Sequence, residues 1–72
     1  MKYFCDGESL SDIRRRAAVS ERDGKEGLAV FAWRFSDEGI ALLNLAGVNT
    51  GNLMITVPIG LINLILELED EY

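Results

Sequence analysis

The chain has 72 residues, a net charge of −5 and a single cysteine, and it contains no histidine. These numbers exclude an intrachain disulfide and a Cys/His zinc site, and they leave no imidazole for acid–base chemistry at neutral pH. A monomer this short buries only about 60% of the surface that its unfolded chain exposes, so we expect one small domain over residues 1–72 that gains stability by association.

The charges are distributed unevenly along the chain. All seven Lys and Arg residues lie at or before Arg34, and the six charged residues that follow are all acidic. Phosphate repulsion by the acidic end disfavours binding to duplex nucleic acid. The lone Cys5 is typical of a reducing compartment, and the first residues lack the apolar segment of a signal peptide, which together predict a cytoplasmic protein. We interpret Cys5 itself as a small buried apolar residue.

The first quarter of the chain predicts a short strand at Lys2–Cys5 and a helix over about residues 9–20. Ser9 or Ser11 can provide the N-cap of this helix. Apolar residues recur at spacings of three and four and would share one helix face. They are Leu10, Ile13 and Ala17.

From Leu28 onward the pattern changes to short apolar runs separated by glycine-containing segments. These segments predict turns, because glycine adopts the left-handed backbone conformation that many turns require. The runs predict four strands, Leu28–Phe35, Ile40–Val48, Leu53–Val57 and Leu61–Leu68. The predicted fold class is therefore α+β, with an N-terminal helix followed by a mostly antiparallel meander of three to four strands.

Two of these strands have a helical alternative. Residues 40–47 also fit a helix capped by Ser36, and Leu61–Leu68 also has apolar residues at helical spacing. Acids at the end of a helix would meet the negative end of its dipole. Because Leu64, Leu66 and Leu68 would lie on the opposite strand face from Glu67 and Glu69, we favour strands. A β-α-β-β-α arrangement is the main competitor. A membrane helix over residues 40–66 is disfavoured by its asparagines, glycines and Pro58.

The strand Leu28–Phe35 would be apolar on both faces, with Phe31, Trp33 and Phe35 on one of them. A sheet with one face in water should instead alternate apolar and polar residues. One short helix can cover only part of such a sheet. We therefore predict that these three aromatic residues form an interface with another subunit of a homo-oligomer or with a protein partner.

The one cationic cluster, Arg14, Arg15 and Arg16, predicts with Arg34 a site for an anion or an acidic partner. The alternative is a solvated, salt-bridged helix surface. The leading functional prediction is a non-enzymatic protein-binding module, of the size and acidity common among small phage or mobile-element inhibitors and regulators, acting as an oligomer. The second is an oligomeric protein that binds or sequesters a nucleotide or another small anion. We expect no enzyme activity, cofactor, metal site or membrane association.

Overall fold

The computed structural model describes residues 3–71, which form three α-helices, two β-strands and one 3-10 turn. In chain order these are α1 (Gly7–Arg22), β1 (Gly27–Phe31), the 3-10 turn (Ala32–Arg34), α2 (Asp37–Leu45), β2 (Met54–Pro58) and α3 (Ile59–Glu71). The α+β class and the antiparallel sheet predicted from the sequence are confirmed. No helix within residues 3–71 is long and apolar enough to cross a membrane.

The predicted meander of three to four strands is wrong, because the described residues contain a sheet of two strands. The segments Ile40–Val48 and Leu61–Leu68 lie largely in α2 and α3, as the helical alternative had it. The strand predicted at Leu28–Phe35 ends at Phe31. Of the strand predicted at Lys2–Cys5, Lys2 lies outside the described residues, and Cys5 forms one isolated bridge with Phe35.

Helix α1 begins two residues earlier than predicted, because Asp6 and not a serine caps it. The Asp6 carboxylate accepts a hydrogen bond from the backbone N–H of Ser9 at 2.8 Å, which satisfies a donor that the first turn leaves without a partner. The predicted apolar face is present and packs into the core. Its buried residues are Leu10, Ile13 and Ala17.

Helix α2 forms because Ser36 acts as an N-cap and not as a turn residue between strands. Its Oγ accepts a hydrogen bond from the backbone N–H of Gly39 at 3.1 Å, and the acids of the first turn face the positive end of the helix. Gly39 is required for packing, since a Cβ there would collide with the carbonyl oxygen of Phe4. Gly47, at a φ of +91°, supplies the left-handed residue after the helix.

Helix α3 follows directly after β2 and buries one stripe of side chains. The stripe has helical spacing and consists of Ile59, Ile62, Ile65, Leu66 and Glu69. Acids near the end of a helix oppose its dipole. Here two of them have partners, because Glu69 accepts backbone hydrogen bonds from the start of the chain and Asp70 pairs with Arg14 at 3.0 Å.

The two-stranded sheet has an inner face and an outer face. The inner face carries the cross-strand pairs Leu28–Val57 and Val30–Ile55, whose four side chains are buried. Helices α1 and α3 pack against each other and cover this inner face. The outer face has no helix against it among the described elements, and this leaves its side chains at the surface.

Candidate functional site

The outer face of the sheet is an apolar surface that the described helices leave uncovered. We define the outer face by the cross-strand pairs Ala29–Thr56 and Phe31–Met54, together with the adjoining Trp33. Met54 is 47% exposed and Phe31 is half-buried. Exposed apolar patches on small proteins commonly mark sites of protein or ligand contact, so this face is the first candidate.

Trp33 lies at this surface within the 3-10 turn that begins at Ala32, where the chain leaves the extended conformation. The 3-10 turn is closed by the backbone N–H of Phe35, which donates to the carbonyl of Ala32 at 3.1 Å. Trp33 then stacks on Phe31, with ring centroids 5.6 Å apart and ring planes 18° from parallel. The Arg34 guanidinium carbon lies 5.1 Å from the centroid of the indole ring. The indole is thereby held in place while 62% of Trp33 stays exposed.

Phe35, the third predicted interface residue, has a different environment from Phe31 and Trp33. It is 7% exposed and belongs to the hydrophobic core. The 3-10 turn changes the direction of the chain between Trp33 and Phe35, so the two side chains no longer share a strand face. The structure therefore brings Phe31 and Trp33 together and places Phe35 in the interior.

The arginines converge on one carboxylate, that of Asp12 in α1. Arg15 donates to Asp12 at 2.6 Å, while Arg16 and Arg34 lie 3.7 Å and 3.8 Å from it. Arg16 also donates to the backbone carbonyl of Ala29 at 2.6 Å. The Arg15 hydrogen bond, ahead of the neighbouring positive charges, lowers the pKa of Asp12 below its ordinary value. Three of the four predicted ligand-binding arginines thus share an internal counter-ion.

The fourth arginine of the predicted set lies apart from the other three. Arg14 pairs with Asp70 at 3.0 Å, and both side chains are largely exposed. Consecutive helix residues lie about 100° apart, which explains why Arg14 does not join its two neighbours on one face. The predicted cluster is therefore divided between Asp12 and the acidic end of α3.

A shallow depression of ≈ 380 Å³ lies between Trp33 and the start of α1. It is lined by Asp6, Glu8, Ser9, Asp12, Trp33 and Arg34. Hydrogen bonds from the backbone N–H and the hydroxyl of Ser9 lower the pKa of Asp6, so this carboxylate is ionised at neutral pH. The depression places carboxylates and one guanidinium beside an exposed indole, an arrangement typical of the polar rim around an apolar contact.

Cys5 and the acids show no arrangement that could hold a metal ion within residues 3–71. Cys5 is completely buried, as interpreted from the sequence. Burial, followed by the charges of Glu69 and Asp6, raises the pKa of its thiol to about 12, which keeps it in the unreactive protonated form. No group of three or more Cys, Asp or Glu side chains in the described part of the chain can hold a metal ion.

Sequence reasoning did not assign Asp12 and Met54 to a site. Asp12 is spaced three and four residues from Arg15 and Arg16, and this ion-pair spacing was available as a signal. Met54 could be matched to Phe31 only once the strand pairing was known, because a long helical connection separates the strands.

Comparison with protein-family models, with curated proteins and with solved structures found no match to this chain.

Proposed function

We propose that this chain is a non-enzymatic protein-recognition module that uses the outer face to bind a protein partner. The observation that carries the proposal is the exposed indole of Trp33, which is fixed between Phe31 and Arg34. As an inhibitor or regulator, such a module would act by occupying a surface of its partner. A protein-binding function is consistent with the exposed apolar surface around Trp33.

A held tryptophan is an effective binding residue for two physical reasons. It can bury on the order of 200 Å² of surface, worth about 5 kcal/mol gross at roughly 25 cal/mol/Å². Its rotamer is already restricted by the stack on Phe31 and by the Arg34 contact, so less conformational entropy is lost on binding. Tryptophan and arginine are also the residue types that most often dominate the energy of protein interfaces.

The surroundings of Trp33 supply the remaining parts of an interface. Met54 lies opposite Phe31 in the strand register, and Leu53, directly before it, is 70% exposed. The depression beside Trp33 adds Asp6 and Glu8 as polar groups at the edge. An apolar centre with charged groups around it is the usual composition of a protein contact surface.

The test uses a photo-crosslinking amino acid at Met54, in the outer face, with the same group at Leu45 as the matched control. Leu45 is 87% exposed and lies at the end of α2, outside the outer face. A protein crosslinked in the native cell from position 54 and not from position 45 would then be purified. Its affinity would be measured by calorimetry for the parent chain, Trp33→Ala and Leu45→Ala.

We expect Trp33→Ala to weaken this binding by roughly thirtyfold or more, in the range of interface residues that dominate binding. Leu45→Ala should change it by less than about twofold. The fluorescence of Trp33, the only tryptophan, should shift to shorter wavelength on binding. Equal crosslinking from both positions, or an unchanged affinity of the Trp33→Ala variant, would refute the proposal.

A further inference from the structure

Each of the two strands has one outer edge. The hydrogen bonds at the ends of the ladder show which residues direct their backbone N–H and C=O groups toward that edge. Ala32 donates to the carbonyl of Leu53, and Ile59 donates to that of Glu26, both at 2.9 Å. Hydrogen-bonded pairs alternate in an antiparallel ladder, so Val30–Ile55 and Leu28–Val57 are also hydrogen-bonded pairs. The N–H and C=O groups of the residues between them therefore point away from the ladder. On β2 these residues are Met54 and Thr56, and on β1 they are Gly27, Ala29 and Phe31.

The edge of β1 is protected, and the edge of β2 is open. Arg16 reaches over β1 and donates to the carbonyl of Ala29 at 2.6 Å. Within residues 3–71 no hydrogen bond joins the backbone N–H or C=O of Met54 or Thr56 to another group. Proteins normally protect an exposed edge with a charge, a bulge or a proline, and β2 has only Pro58, at its last position.

We propose that β2 pairs antiparallel with β2 of a second copy about a twofold axis at Thr56, giving a continuous four-stranded sheet. Thr56 would lie opposite Thr56 of the second copy, and the two residues would exchange both backbone hydrogen bonds. Met54 would lie opposite Pro58 of the second copy. Pro58 has no N–H, and because it directly precedes α3 its carbonyl accepts the first hydrogen bond of that helix, so the ladder ends there. The open edge is therefore complementary to itself in this register.

Charge does not oppose a second copy at this edge. Two chains of net charge −5 repel each other, yet residues 39–66, which contain β2, carry no charged side chain. Pairing at β2 joins the copies through their uncharged segment, and cross-strand Thr–Thr pairs are among the favourable neighbours in sheets.

The pairing also fixes how the two outer faces would be arranged. A twofold axis at a hydrogen-bonded pair stands perpendicular to the sheet, so both copies would present Phe31, Trp33 and Met54 on the same side. The assembly would leave both outer faces open. It is therefore separate from the proposed recognition function, and either can be true without the other.

The test measures molar mass by sedimentation equilibrium from micromolar to hundreds of micromolar. The parent chain should approach about 16 kDa, twice its mass of 8.0 kDa. Thr56→Pro removes an outward N–H without touching the β1–β2 ladder and should stay at 8.0 kDa. Ala29→Pro is the matched control, because Ala29 is the cross-strand partner of Thr56 on the protected edge and its N–H also points outward. This control should dimerise like the parent.

A synthetic chain methylated on the Thr56 nitrogen removes only the donor and covers the case in which Thr56→Pro does not fold. Hydrogen exchange gives a direct readout, since the amide of Thr56 should gain at least tenfold protection with rising concentration while that of Ala29 does not. A parent chain that stays monomeric at every concentration overturns the proposal. So does a dimer that survives methylation at Thr56, or one that is lost in Trp33→Ala instead, which would place the second copy on the outer face.

Discussion

The carboxylate of Glu69, near the end of α3, accepts a hydrogen bond from the backbone N–H of Phe4, at the other end of the chain. The same carboxylate accepts from Tyr3 at 3.2 Å and from Cys5 at 3.1 Å, and Glu69 is only 1% exposed. Three successive N–H groups thus surround one buried charge. Because a buried carboxylate is tolerated only when it is hydrogen-bonded, this contact fixes the start of the chain onto α3.

Replacing Glu69 should destabilise the fold in proportion to the acceptors that are lost. Glu69→Gln keeps one oxygen but turns the other acceptor into a donor that faces N–H groups, and we expect a loss of about 1–3 kcal/mol in the free energy of unfolding. Glu69→Ala leaves three N–H groups without this acceptor and should cost more than Glu69→Gln. Urea unfolding followed by circular dichroism measures both.

The matched control for this prediction is Glu67→Gln, which removes the same charge from an exposed position on the same helix. It should change the free energy of unfolding by no more than about 0.5 kcal/mol. If Glu69→Gln is as harmless as this control, the carboxylate does not hold the start of the chain.

Cys5 should make stability fall at alkaline pH. Its folded pKa of about 12 lies above the ordinary 9.0, so the stabilisation is fully present below pH 9 and is lost as the pH rises from 9 toward 12. Between pH 8 and pH 10 the free energy of unfolding of the parent chain should fall by about 1.4 kcal/mol more than that of Cys5→Ala. Parallel stability curves for the two chains from pH 8 to 10 would contradict this assignment. At pH 8 the folded thiol should also react with a disulfide reagent only as fast as the chain unfolds.

The sequence predicted α1 and the fold class, but it did not identify the helices that follow. Residues 36–39 match both a turn and an N-cap, and only the hydrogen bond from Gly39 to Ser36 distinguishes them. For α3, acids at a helix end counted against a helix because their partners are distant in sequence. The Glu69 contacts span 64 to 66 residues, and no local pattern can reveal them. Short apolar runs also fit strand and buried helix equally well.

The candidate site was predicted in part for a related reason. Alternation within a continuous strand placed Phe31, Trp33 and Phe35 together, but the chain turns at Ala32. Phe31 and Trp33 are still in contact, because their rings stack although Trp33 lies outside the strand. The local spacing indicates the pairs of Asp12 with Arg15 and Arg16. The third pair, with Arg34, arises from packing beside α1 that a single sequence does not specify.

Truncation of the two aromatic residues on either side of Arg34 should have opposite effects on stability and on binding. Phe35→Ala removes a core side chain and should cost about 3–5 kcal/mol. Trp33→Ala should cost no more than about 1 kcal/mol in the isolated chain, because most of the indole is in water. Thermal unfolding at low micromolar concentration compares them. Equal losses in the two variants would mean that Trp33 is covered in the folded chain.

Asp12→Asn tests whether the arginines can bind an anion, the second function predicted from the sequence. The parent carboxylate holds Arg15, Arg16 and Arg34, so an incoming phosphate must compete with it. The amide keeps the shape and removes the charge, and because these pairs are partly exposed to solvent we expect stability to change by about 1 kcal/mol at most. Phosphate and nucleotide binding, measured by calorimetry at low salt, should strengthen tenfold or more, since one charge-assisted hydrogen bond is worth about 1.5–3 kcal/mol.

Acidification should act on the parent chain as Asp12→Asn does. The pKa of Asp12 is lowered from 3.8, so its ion pairs persist above pH 3.8 and are lost as the pH falls through the lower folded value.

Asp70→Asn is the control for Asp12→Asn, because it releases Arg14 alone and one exposed cation should bind phosphate weakly. Binding that strengthens equally in both variants would reflect net charge alone. If neither variant gains affinity, the four arginines form only surface ion pairs, and recognition then depends on the outer face around Trp33.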